Sequence, residues 1–464
     1  MLQSRLEAQR AAFARGAPDY TARMRALASL RDALHAHQDE LARAVWDDFG
    51  GRAREETLAL ELFPLFDQIR HARRHLKEWM TRRRVRSSWF LLPSRAFYFY
   101  QPLGVVGVIG AWNYQLLLTL GPLVDALAAG NHVMVKPSEI TPRSADVIAR
   151  ILAGTFPPEY ITCVTGGPDV AAAFSALPFD HLFFTGSTRI GRKVMQAAAV
   201  NLTPVTLELG GKSPAIVHES YPLGLATERI VSAKLYNAGQ TCVAPDYVML
   251  PEGSEAAFES HARRTATALY PRIAGNPDYT RIVNQRHFER LRGAIADAAA
   301  KGARVVPLGE NTASPDDRAL PLTLIFSPTD AMAAMQEELF GPVLPVVPYR
   351  TLDDAIAFVN ARPHPLALYY FDEDAHRQDE VLRRAISGGV TINDCVYHLG
   401  QHNLPFGGVG ASGMGQYHGF DGFVTFSKKR GVMIQPRRAA TGAFRPPWAR
   451  RRRLLDAILW LARR

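Results

Sequence analysis

Apolar positions follow two different rhythms along the chain. Over the first 80 residues they recur at helical spacing, as Leu27, Leu30 and Leu34 do, which predicts amphipathic helices. From Leu103 onward, short apolar runs alternate with stretches of helical length. In chain order these are VVGVI, 116–129, HVMVKP, 142–154, ITCVTG, 168–177, HLFFTG and 187–199. Strands that alternate with helices of this length predict parallel βαβ units, so the predicted fold class is α/β.

A second α/β unit is predicted to begin after the apolar segment 204–217. Helices are expected near residues 223–238, 254–270 and 284–300, and the runs YVML and PVVPY are typical of strands. Glycine and proline are concentrated at 405–415, which indicates a loop or a crossing between domains. The length of 464 residues accommodates two or three domains.

One long apolar stretch has the length of a membrane span. Residues 96–124 contain no charged residue over 29 positions, whereas about 20 apolar residues suffice to cross a bilayer. Pro102, Gly104 and Pro122, among others, would interrupt a helix that faces lipid and leave backbone groups unpaired. We therefore expect this stretch to lie in the core of a soluble fold.

The formal net charge of +10 is concentrated in two segments. Residues 70–86 hold eight basic residues against Glu78, and residues 437–464 hold nine arginines against Asp456. The rest of the chain carries a net charge of −5, so we expect no nucleic-acid partner. A nucleic-acid- or membrane-binding protein is a competing interpretation, but it rests on these two segments alone.

The three cysteines are too few and too scattered for a disulfide framework or a metal site. Cys163, Cys242 and Cys395 show no C-x-x-C spacing, so we expect no bound metal and a reducing compartment. Charged residues occur throughout positions 1–16, which excludes a signal-peptide apolar region there. The expected location is the cytoplasm.

Three polar residues stand where chemistry is expected. Cys242 follows the flexible polar segment 239–241. It is either a nucleophile at a cleft or a small buried hydrophobic residue. Glu208 lies on an apolar strand, where a carboxylate must be paired, protonated or used; it is either a general base or the partner of Lys212. Asn113 follows a buried strand and either stabilises an oxyanion or caps a turn.

A glycine-rich turn occurs at 183–191, where FFTGSTRIG leads from a strand into a helix. The N-terminus of such a helix suits a pyrophosphate. The spacing from Gly186 to Gly191 is not the usual G-x-G-x-x-G fingerprint, so an ordinary tight turn is the alternative.

Seven short motifs follow one another over nearly the whole chain. They are WNY (112–114), KPSE (136–139), FTGS (184–187), ELGGK (208–212), GQTC (239–242), EELFGPV (337–343) and PFGG (405–408). This set resembles the NAD(P)-dependent aldehyde dehydrogenase superfamily. Segments 239–248 and 412–427 look like its dimeric class, which handles aromatic and long-chain aldehydes, and segments 48–57 and 69–80 are most similar to the bacterial enzymes acting on coniferyl aldehyde.

The resemblance implies a reaction at Cys242. The thiolate would attack the aldehyde carbon, the Asn113 amide would hold the oxyanion, and Glu208 would activate water to hydrolyse the resulting thioester to a carboxylic acid. Glu338 is expected on the nicotinamide ribose, with Phe340 nearby. An acyl transferase or thioester hydrolase without redox chemistry is a second enzyme interpretation.

The resemblance also implies a cofactor site. Lys136, Ser138 and Glu139 are expected at the adenosine ribose, and the residues Gly186, Ser187 and Gly191 beneath the pyrophosphate. Because the Glu139 carboxylate would repel a 2′-phosphate, NAD is favoured, with NADP as the alternative.

The expected architecture has three parts and a tail. It comprises a Rossmann-like dinucleotide-binding domain (1–84 and 101–208), an α/β catalytic domain (209–405), a small β oligomerisation element (85–100 and 415–436) and a basic C-terminal tail (437–464). We expect a homodimer that acts on a small aldehyde.

Two features are left open by the resemblance. Gln115 stands where a proline usually follows the WNY element, so the Asn113 site would be looser or the substrate mouth reshaped. Leu454, Leu455 and Ile458 of the tail can form an apolar face flanked by arginine, which suits a weak peripheral membrane contact. A tail packed on a dimer or simply solvated is an equal alternative, as is a long-chain fatty aldehyde for the substrate.

Overall fold

The computed structural model describes residues 2–309 and 317–463. Met1, residues 310–316 and Arg464 belong to the predicted dinucleotide-binding, catalytic and tail segments, respectively, and lie outside the described residues. The strands form three sheets, and α-helices cover the two larger ones.

The strands and helices follow the predicted alternation from Leu103 onward. In chain order the strands are β1 (Arg83–Val85), β2 (Arg95–Pro102), β3 (Val105–Ile109), β4 (His132–Lys136), β5 (Ile161–Cys163), β6 (His181–Gly186), β7 (Val205–Leu209), β8 (Pro214–Val217), β9 (Tyr247–Pro251), β10 (Arg304–Pro307), β11 (Thr323–Phe326), β12 (Val343–Tyr349), β13 (Ala367–Phe371), β14 (Gly389–Ile392), β15 (Gly413–Met414) and β16 (Ser427–Ile434). The α-helices are α1 (Leu2–Ala14), α2 (Tyr20–Ala36), α3 (Gln38–Phe49), α4 (Arg54–Thr57), α5 (Phe63–Trp79), α6 (Leu117–Ala129), α7 (Pro142–Thr155), α8 (Pro168–Ser175), α9 (Thr188–Ala199), α10 (Leu223–Leu235), α11 (Glu255–Leu269), α12 (Gln285–Ala300), α13 (Ala333–Gln336), α14 (Leu352–Asn360), α15 (Ala375–Arg384), α16 (Gly419–Thr425) and α17 (Arg452–Ala462). A π-helical turn at Leu58–Leu62 joins α4 to α5.

The first sheet has six strands in the order β15-β7-β6-β3-β4-β5. All its pairs are parallel except β15 with β7. Every residue of β3 and β4 is buried, which explains their continuous apolar runs, because helices cover both faces of a parallel sheet. The carboxyl ends of β3, β4, β6 and β7 therefore lie along one edge, where ligands bind in open α/β sheets.

The second sheet has seven strands in the order β10-β11-β12-β9-β8-β13-β14. Its pairs are parallel except β10 with β11. Helices α10 and α11 pack on it through buried residues such as Ile230 and Phe258. These residues belong to one continuous core that also includes α2, α5 and α6, so the two sheets are joined through a shared apolar interior.

The third sheet is small and antiparallel, with the order β1-β2-β16. β2 contains the aromatic run AFYFY, and β16 pairs with it from Ser427 opposite Pro102 to Ile434 opposite Arg95. Tyr100 contacts Phe420 and Phe423 of α16, which anchors this sheet to the first unit. The long uncharged stretch at 96–124 is thus divided between β2, β3 and α6.

The C-terminal helix α17 has no buried residue, and Leu454, Leu459 and Leu461 are exposed. Within residues 2–309 and 317–463, none of the helices combines the length and the apolar character that crossing a bilayer requires.

Candidate active site

Three loops from different parts of the chain meet at the candidate active site. The Asn113 loop (110–116) connects β3 to α6, the Cys242 loop (236–246) connects α10 to β9, and the Glu338 loop (337–342) connects α13 to β12. The second and third loops touch at Gly239, where a Cβ atom would lie 2.4 Å from the carbonyl oxygen of Gly341. Only glycine permits this approach, and its φ of +76° also favours glycine.

The Asn113 side chain faces the Cys242 loop. It is 3% exposed, and its Nδ2 donates to the carbonyl oxygen of Gln240 at 3.1 Å. The backbone carbonyl of Asn113 accepts from Nδ2 of Asn237 at 2.9 Å. Asn113 therefore does not cap a turn, and its side-chain amide contacts the Cys242 loop at Gln240, two residues before Cys242.

Cys242 follows a backbone segment in an uncommon conformation. Asn237 and Ala238 have φ values of 52° and 50°, and the Tyr114 hydroxyl meets the Thr241 hydroxyl at 2.8 Å. The Cys242 side chain remains partly exposed. Burial of the sulfur by its surroundings, followed by the charges of Glu338 and Glu208, raises the pKa of the Cys242 thiol to about 12. The thiol therefore needs a proton acceptor to become a nucleophile at neutral pH.

Glu208 lies on β7 and is 3% exposed. Neither of its carboxylate oxygens has a hydrogen-bond partner among the described residues, and burial raises its pKa well above the usual range. Lys212, the alternative partner considered from the sequence, instead forms an ion pair with Asp246 and donates to the Ala334 carbonyl at 2.7 Å. The Glu208 carboxyl is thus available to accept a proton.

Glu338 lies beside the same sulfur. Its Oε1 has no hydrogen-bond partner among the described residues, and burial followed by the charge of Asp246 raises the pKa of Glu338 to about 8. The carboxylate packs against Gly210, where a Cβ atom would lie 2.1 Å from Oε2. Asp246 accepts from the Leu339 N–H at 2.9 Å and so ties the Glu338 loop to the Cys242 loop.

Phe340 and Gln115 border these loops. Phe340 has a φ of 53°, and its ring contacts the Trp112 ring at 5.3 Å between centroids. Gln115 is fully buried, and its Nε2 donates to the Ser144 hydroxyl at 3.2 Å. The Gln115 side chain therefore points into the domain core.

Lys136 is the last residue of β4, and Ser138 and Glu139 follow it in the next turn. The buried Lys136 donates through Nζ to Glu139 at 3.0 Å and to the Pro137 carbonyl at 3.1 Å. Ser138 accepts from the Ile140 N–H at 3.2 Å. An ammonium and a carboxylate held side by side at a strand end can bind the two hydroxyls of a ribose.

Gly186, Ser187 and Gly191 surround the start of α9. Ser187 occupies the N-cap position, and its side chain makes no capping hydrogen bond. The Ile190 N–H donates to the Ser187 carbonyl at 3.0 Å, so the first two N–H groups, those of Thr188 and Arg189, are the ones suited to an anion such as a pyrophosphate. Gly191 brings α9 against β7, since a Cβ atom there would lie 2.7 Å from Cδ2 of Leu209.

The sequence reasoning missed charged residues that support the site. Arg52 and Glu61 are fully buried and form an ion pair at 2.9 Å, and Glu56 accepts from the Asn237 N–H at 2.6 Å. A signal was present, because Glu61 interrupts the apolar run LALELFPLF as Glu208 interrupts its strand. Lys234 was also missed; it is fully buried, and its Nζ has no hydrogen-bond partner among the described residues.

A cysteine on which the charges of Glu208 and Glu338 act, in a chain whose parallel sheet also ends at a helix N-terminus suited to a pyrophosphate, is the arrangement expected of a cysteine-nucleophile, dinucleotide-dependent α/β enzyme. The chain matches the Aldehyde dehydrogenase family over residues 4–432 and belongs to that family. The predicted α/β fold, the family resemblance and the prediction of an aldehyde dehydrogenase are thereby confirmed.

Three relatives illustrate the similarity. The chain is 50% identical over 450 residues to a protein of Pseudomonas aeruginosa named a probable coniferyl aldehyde dehydrogenase, covering 97% of this chain and 94% of that protein. The substrate-bound structure of Staphylococcus aureus AldH superposes with a TM-score of 0.94 at 38% identity, covering 99% of both chains. A Mycobacterium tuberculosis aldehyde dehydrogenase in complex with NAD+ has a TM-score of 0.84 at 27% identity, covering 92% of this chain and 89% of that one.

Proposed function

We propose that this protein oxidises an aromatic aldehyde, such as coniferyl aldehyde, to the carboxylic acid with NAD or NADP as oxidant. The observation that carries the proposal is a pair of carboxyls, the buried Glu208 and the partly buried Glu338, whose charges both act on the Cys242 sulfur. The name of the Pseudomonas aeruginosa relative supports the choice of aldehyde, and the NAD+ complex of the Mycobacterium tuberculosis enzyme supports the cofactor.

The first chemical step forms a bond between Cys242 Sγ and the aldehyde carbon. The thiol proton leaves to solvent, so that the sulfur attacks as the thiolate, and the Glu208 carboxylate, whose oxygens have no competing donor, stays free for the later step. The aldehyde oxygen becomes an oxyanion, and the Asn113 amide together with the Cys242 backbone N–H stabilises it. Both donors are fixed before the reaction, so little reorganisation is needed.

The second half of the reaction releases the acid. Loss of hydride from the tetrahedral carbon leaves a thioester on Cys242, and Glu208 then takes a proton from an attacking water. The C–S bond breaks, the proton on Glu208 passes to the Cys242 thiolate, and the carboxylic acid leaves. Glu208 can hold a proton at neutral pH because burial raises its pKa well above the usual range.

The residues present fit a nicotinamide dinucleotide. Lys136 and Glu139 suit the adenosine ribose, the first turn of α9 suits the pyrophosphate, and the partnerless Oε1 of Glu338 suits a hydroxyl of the second ribose. When bound, this cofactor supplies the acceptor for the hydride. Because the Glu139 carboxylate would repel a 2′-phosphate, we propose that NAD is preferred.

We further propose the division into domains and a homodimer. In this division residues 1–84 and 101–208 bind the dinucleotide, 209–405 form the catalytic domain, and 85–100 with 415–436 form the oligomerisation element. The position of β16 at an edge of the third sheet supports the dimer, since an unpaired strand edge invites a second chain. A monomer in light scattering at micromolar concentration would contradict it.

The C-terminal tail (437–464) is proposed to make a weak peripheral contact with anionic membranes. Exposed Leu454, Leu459 and Leu461 on α17, flanked by arginines, support this proposal. Removal of the tail should abolish sedimentation with anionic vesicles at low salt and leave turnover unchanged. Sedimentation that persists without the tail would exclude it as the contact.

The direct test measures NADH formation with NAD and a panel of coniferyl aldehyde, benzaldehyde and a long-chain alkanal, for the parent and for Cys242→Ser. We expect coniferyl aldehyde to give the highest kcat/KM and the serine variant to be inactive. A strong preference for the alkanal would indicate a fatty aldehyde dehydrogenase. Turnover of activated esters without any NAD-dependent reaction would favour the non-redox thioester chemistry.

A further inference from the structure

Three charged residues link the N-terminal helices to the Asn113 loop and the Cys242 loop. Arg52, Glu56 and Glu61 lie around the π-helical turn at Leu58–Leu62, and we call them the brace. We infer that the brace is a set of positioning residues that holds the Asn113 loop and the Cys242 loop in one arrangement and thereby aligns the Asn113 amide with Cys242. The inference rests on the roles proposed above for those two residues.

Glu61 fixes the end of the Asn113 loop. Its Oε1 accepts from Nη1 of Arg52 at 2.9 Å, and its Oε2 accepts from the backbone N–H groups of Leu116 at 2.7 Å and Leu117 at 3.2 Å. These N–H groups stand at the start of α6, where a helix has no internal acceptors for its first donors. Both carboxylate oxygens are therefore used, and the loop cannot shift without losing a bond.

Arg52 acts on Asn113 itself. Its Nη1 also donates to the Asn113 carbonyl oxygen at 3.3 Å, and its guanidinium lies over the Tyr114 ring at 4.9 Å from the centroid. The Tyr114 hydroxyl bonds in turn to the Thr241 hydroxyl, next to Cys242. Arg52 thus holds both the Asn113 carbonyl and the neighbouring Tyr114 side chain, and these two contacts fix the backbone that orients the Asn113 amide.

Glu56 fixes the Cys242 loop. Its Oε1 accepts from the Asn237 N–H at 2.6 Å, and its Oε2 accepts from the Thr280 hydroxyl. Asn237 and Ala238 have left-handed φ values of 52° and 50°, and an alanine keeps such a φ only when its surroundings hold it there. The side chain of Asn237 then donates to the Asn113 and Gln240 carbonyls at 2.9 and 3.1 Å, so the two loops are joined directly.

The composition of the brace favours a positioning role over a stabilising one. A fully buried ion pair contributes little net stability, because the loss of hydration offsets the attraction of the charges. Two donors of Arg52, Nε and Nη2, lack hydrogen-bond partners among the described residues. A π-helical turn is itself uncommon and occurs often at functional sites, since the extra residue rotates the side chains that follow. Glu61 lies within this turn.

A double-mutant cycle tests the inference. The single-turnover rate of NADH formation is measured for the parent, Glu61→Gln, Asn113→Ala and the double variant. If Glu61 acts through the Asn113 amide, Glu61→Gln slows the parent by about tenfold or more and the Asn113→Ala background by less than about threefold. The KM for NAD should stay within about twofold of the parent value. Equal slowing in both backgrounds would overturn the inference.

Two controls separate positioning from loss of structure. Asp125→Asn changes another buried carboxyl, which accepts from Gln68 on α5 and bonds to neither the Asn113 loop nor the Cys242 loop. The single-turnover rate of this variant should match that of the parent. If Glu61→Gln does not fold, Arg52→Lys replaces it in the cycle, because lysine keeps the positive charge and loses the bond to the Asn113 carbonyl. The same non-additivity is expected.

A readout without turnover distinguishes the inference from the proposed function. The rate of Cys242 alkylation by iodoacetamide, followed by peptide mass, should change about threefold or more in Glu56→Gln and stay unchanged in Asp125→Asn. This readout needs neither aldehyde nor NAD. If the parent oxidises no aldehyde, the proposed function fails; if Glu56→Gln is alkylated at the parent rate, the brace fails.

Discussion

The charged groups at the proposed cofactor site, at the end of β4, differ from those around Cys242 in their burial and in their hydrogen bonding. At the end of β4, Lys136 and Glu139 form an ion pair at 3.0 Å, and the carboxylate side chain is 37% exposed. Around Cys242, Glu208 is buried and Glu338 is partly buried, and three of their four carboxyl oxygens have no hydrogen-bond partner among the described residues. The partly exposed pair at β4 is satisfied in advance, whereas the carboxyl oxygens near Cys242 are left without partners.

This difference has a physical reason. A polar group that only binds loses little when it exchanges one partner for another. A group that must gain and lose a proton during the reaction needs a pKa near the working pH, and burial without partners supplies it. Burial raises the pKa of Glu338 to about 8 and that of Glu208 well above its usual range. The associated cost in stability is carried by the large apolar core.

The largest expected effect is that of Glu208→Gln. The amide cannot accept the proton of the attacking water, so steady-state turnover should fall by about 10²–10⁴-fold, as for loss of a general base. One equivalent of NADH per chain should still form quickly, because the thiol proton leaves to solvent and Glu208 acts only after the hydride has been lost. Rapid-quench measurement of NADH gives both quantities. Parent-like steady-state turnover would show that the partnerless carboxyl is not the base.

Asn113→Ala should have the next largest effect. Loss of one oxyanion donor typically lowers kcat by about 10²–10³-fold. The KM for NAD should change little, because Asn113 bonds to the Cys242 loop and not to the cofactor side. Steady-state kinetics with coniferyl aldehyde measure both constants. A change confined to KM would contradict an oxyanion role.

The alkylation rate of Cys242 should rise with pH. The pKa of the free thiol is raised to about 12, so the neutral form dominates at pH 7 and the thiolate fraction grows about tenfold per pH unit below the pKa. Glu338→Gln removes the carboxylate with the larger effect on the thiol pKa and should raise the rate at pH 9, above the Glu338 pKa of about 8. A rate that is constant between pH 7 and 9 would indicate a lowered pKa instead.

The smallest expected effect concerns the cofactor side. Glu139→Gln removes the charge that disfavours a 2′-phosphate, and we expect the ratio of kcat/KM for NADP over NAD to rise by about threefold to tenfold. Glu159→Gln, a change of another acid in the same domain, is the control and should leave the ratio unchanged. An unchanged ratio in Glu139→Gln would exclude Glu139 as the discriminating residue.

Local patterns predicted much of the fold, and contacts between distant segments were the part that they could not predict. The helices at 223–235, 255–269 and 285–300 fall where apolar spacing indicated them, because a single amphipathic face determines each one. The partner of Lys212 was not predictable, since Asp246 lies 34 residues away and meets it only in the folded chain.

The candidate site shows the same division. Cys242, Glu208 and Asn113 were identified because their motifs resemble a family, whereas each residue alone admitted a structural explanation. The brace belongs to no such motif, and its function depends on bonds from Glu61 to residues 55 and 56 positions further along the chain. Periodicity indicates which face of a helix is buried, but not which backbone groups a buried charge will meet there.

The most direct test of the account is the mass of the Glu208→Gln variant after acid quench from a mixture with NAD and coniferyl aldehyde. We expect one acyl group per chain, located on Cys242 by peptide mapping, and one NADH for each acyl group. Repeated turnover without a covalent adduct, or an acyl group on Cys163 or Cys395, would contradict the central claim that Cys242 carries the substrate through oxidation.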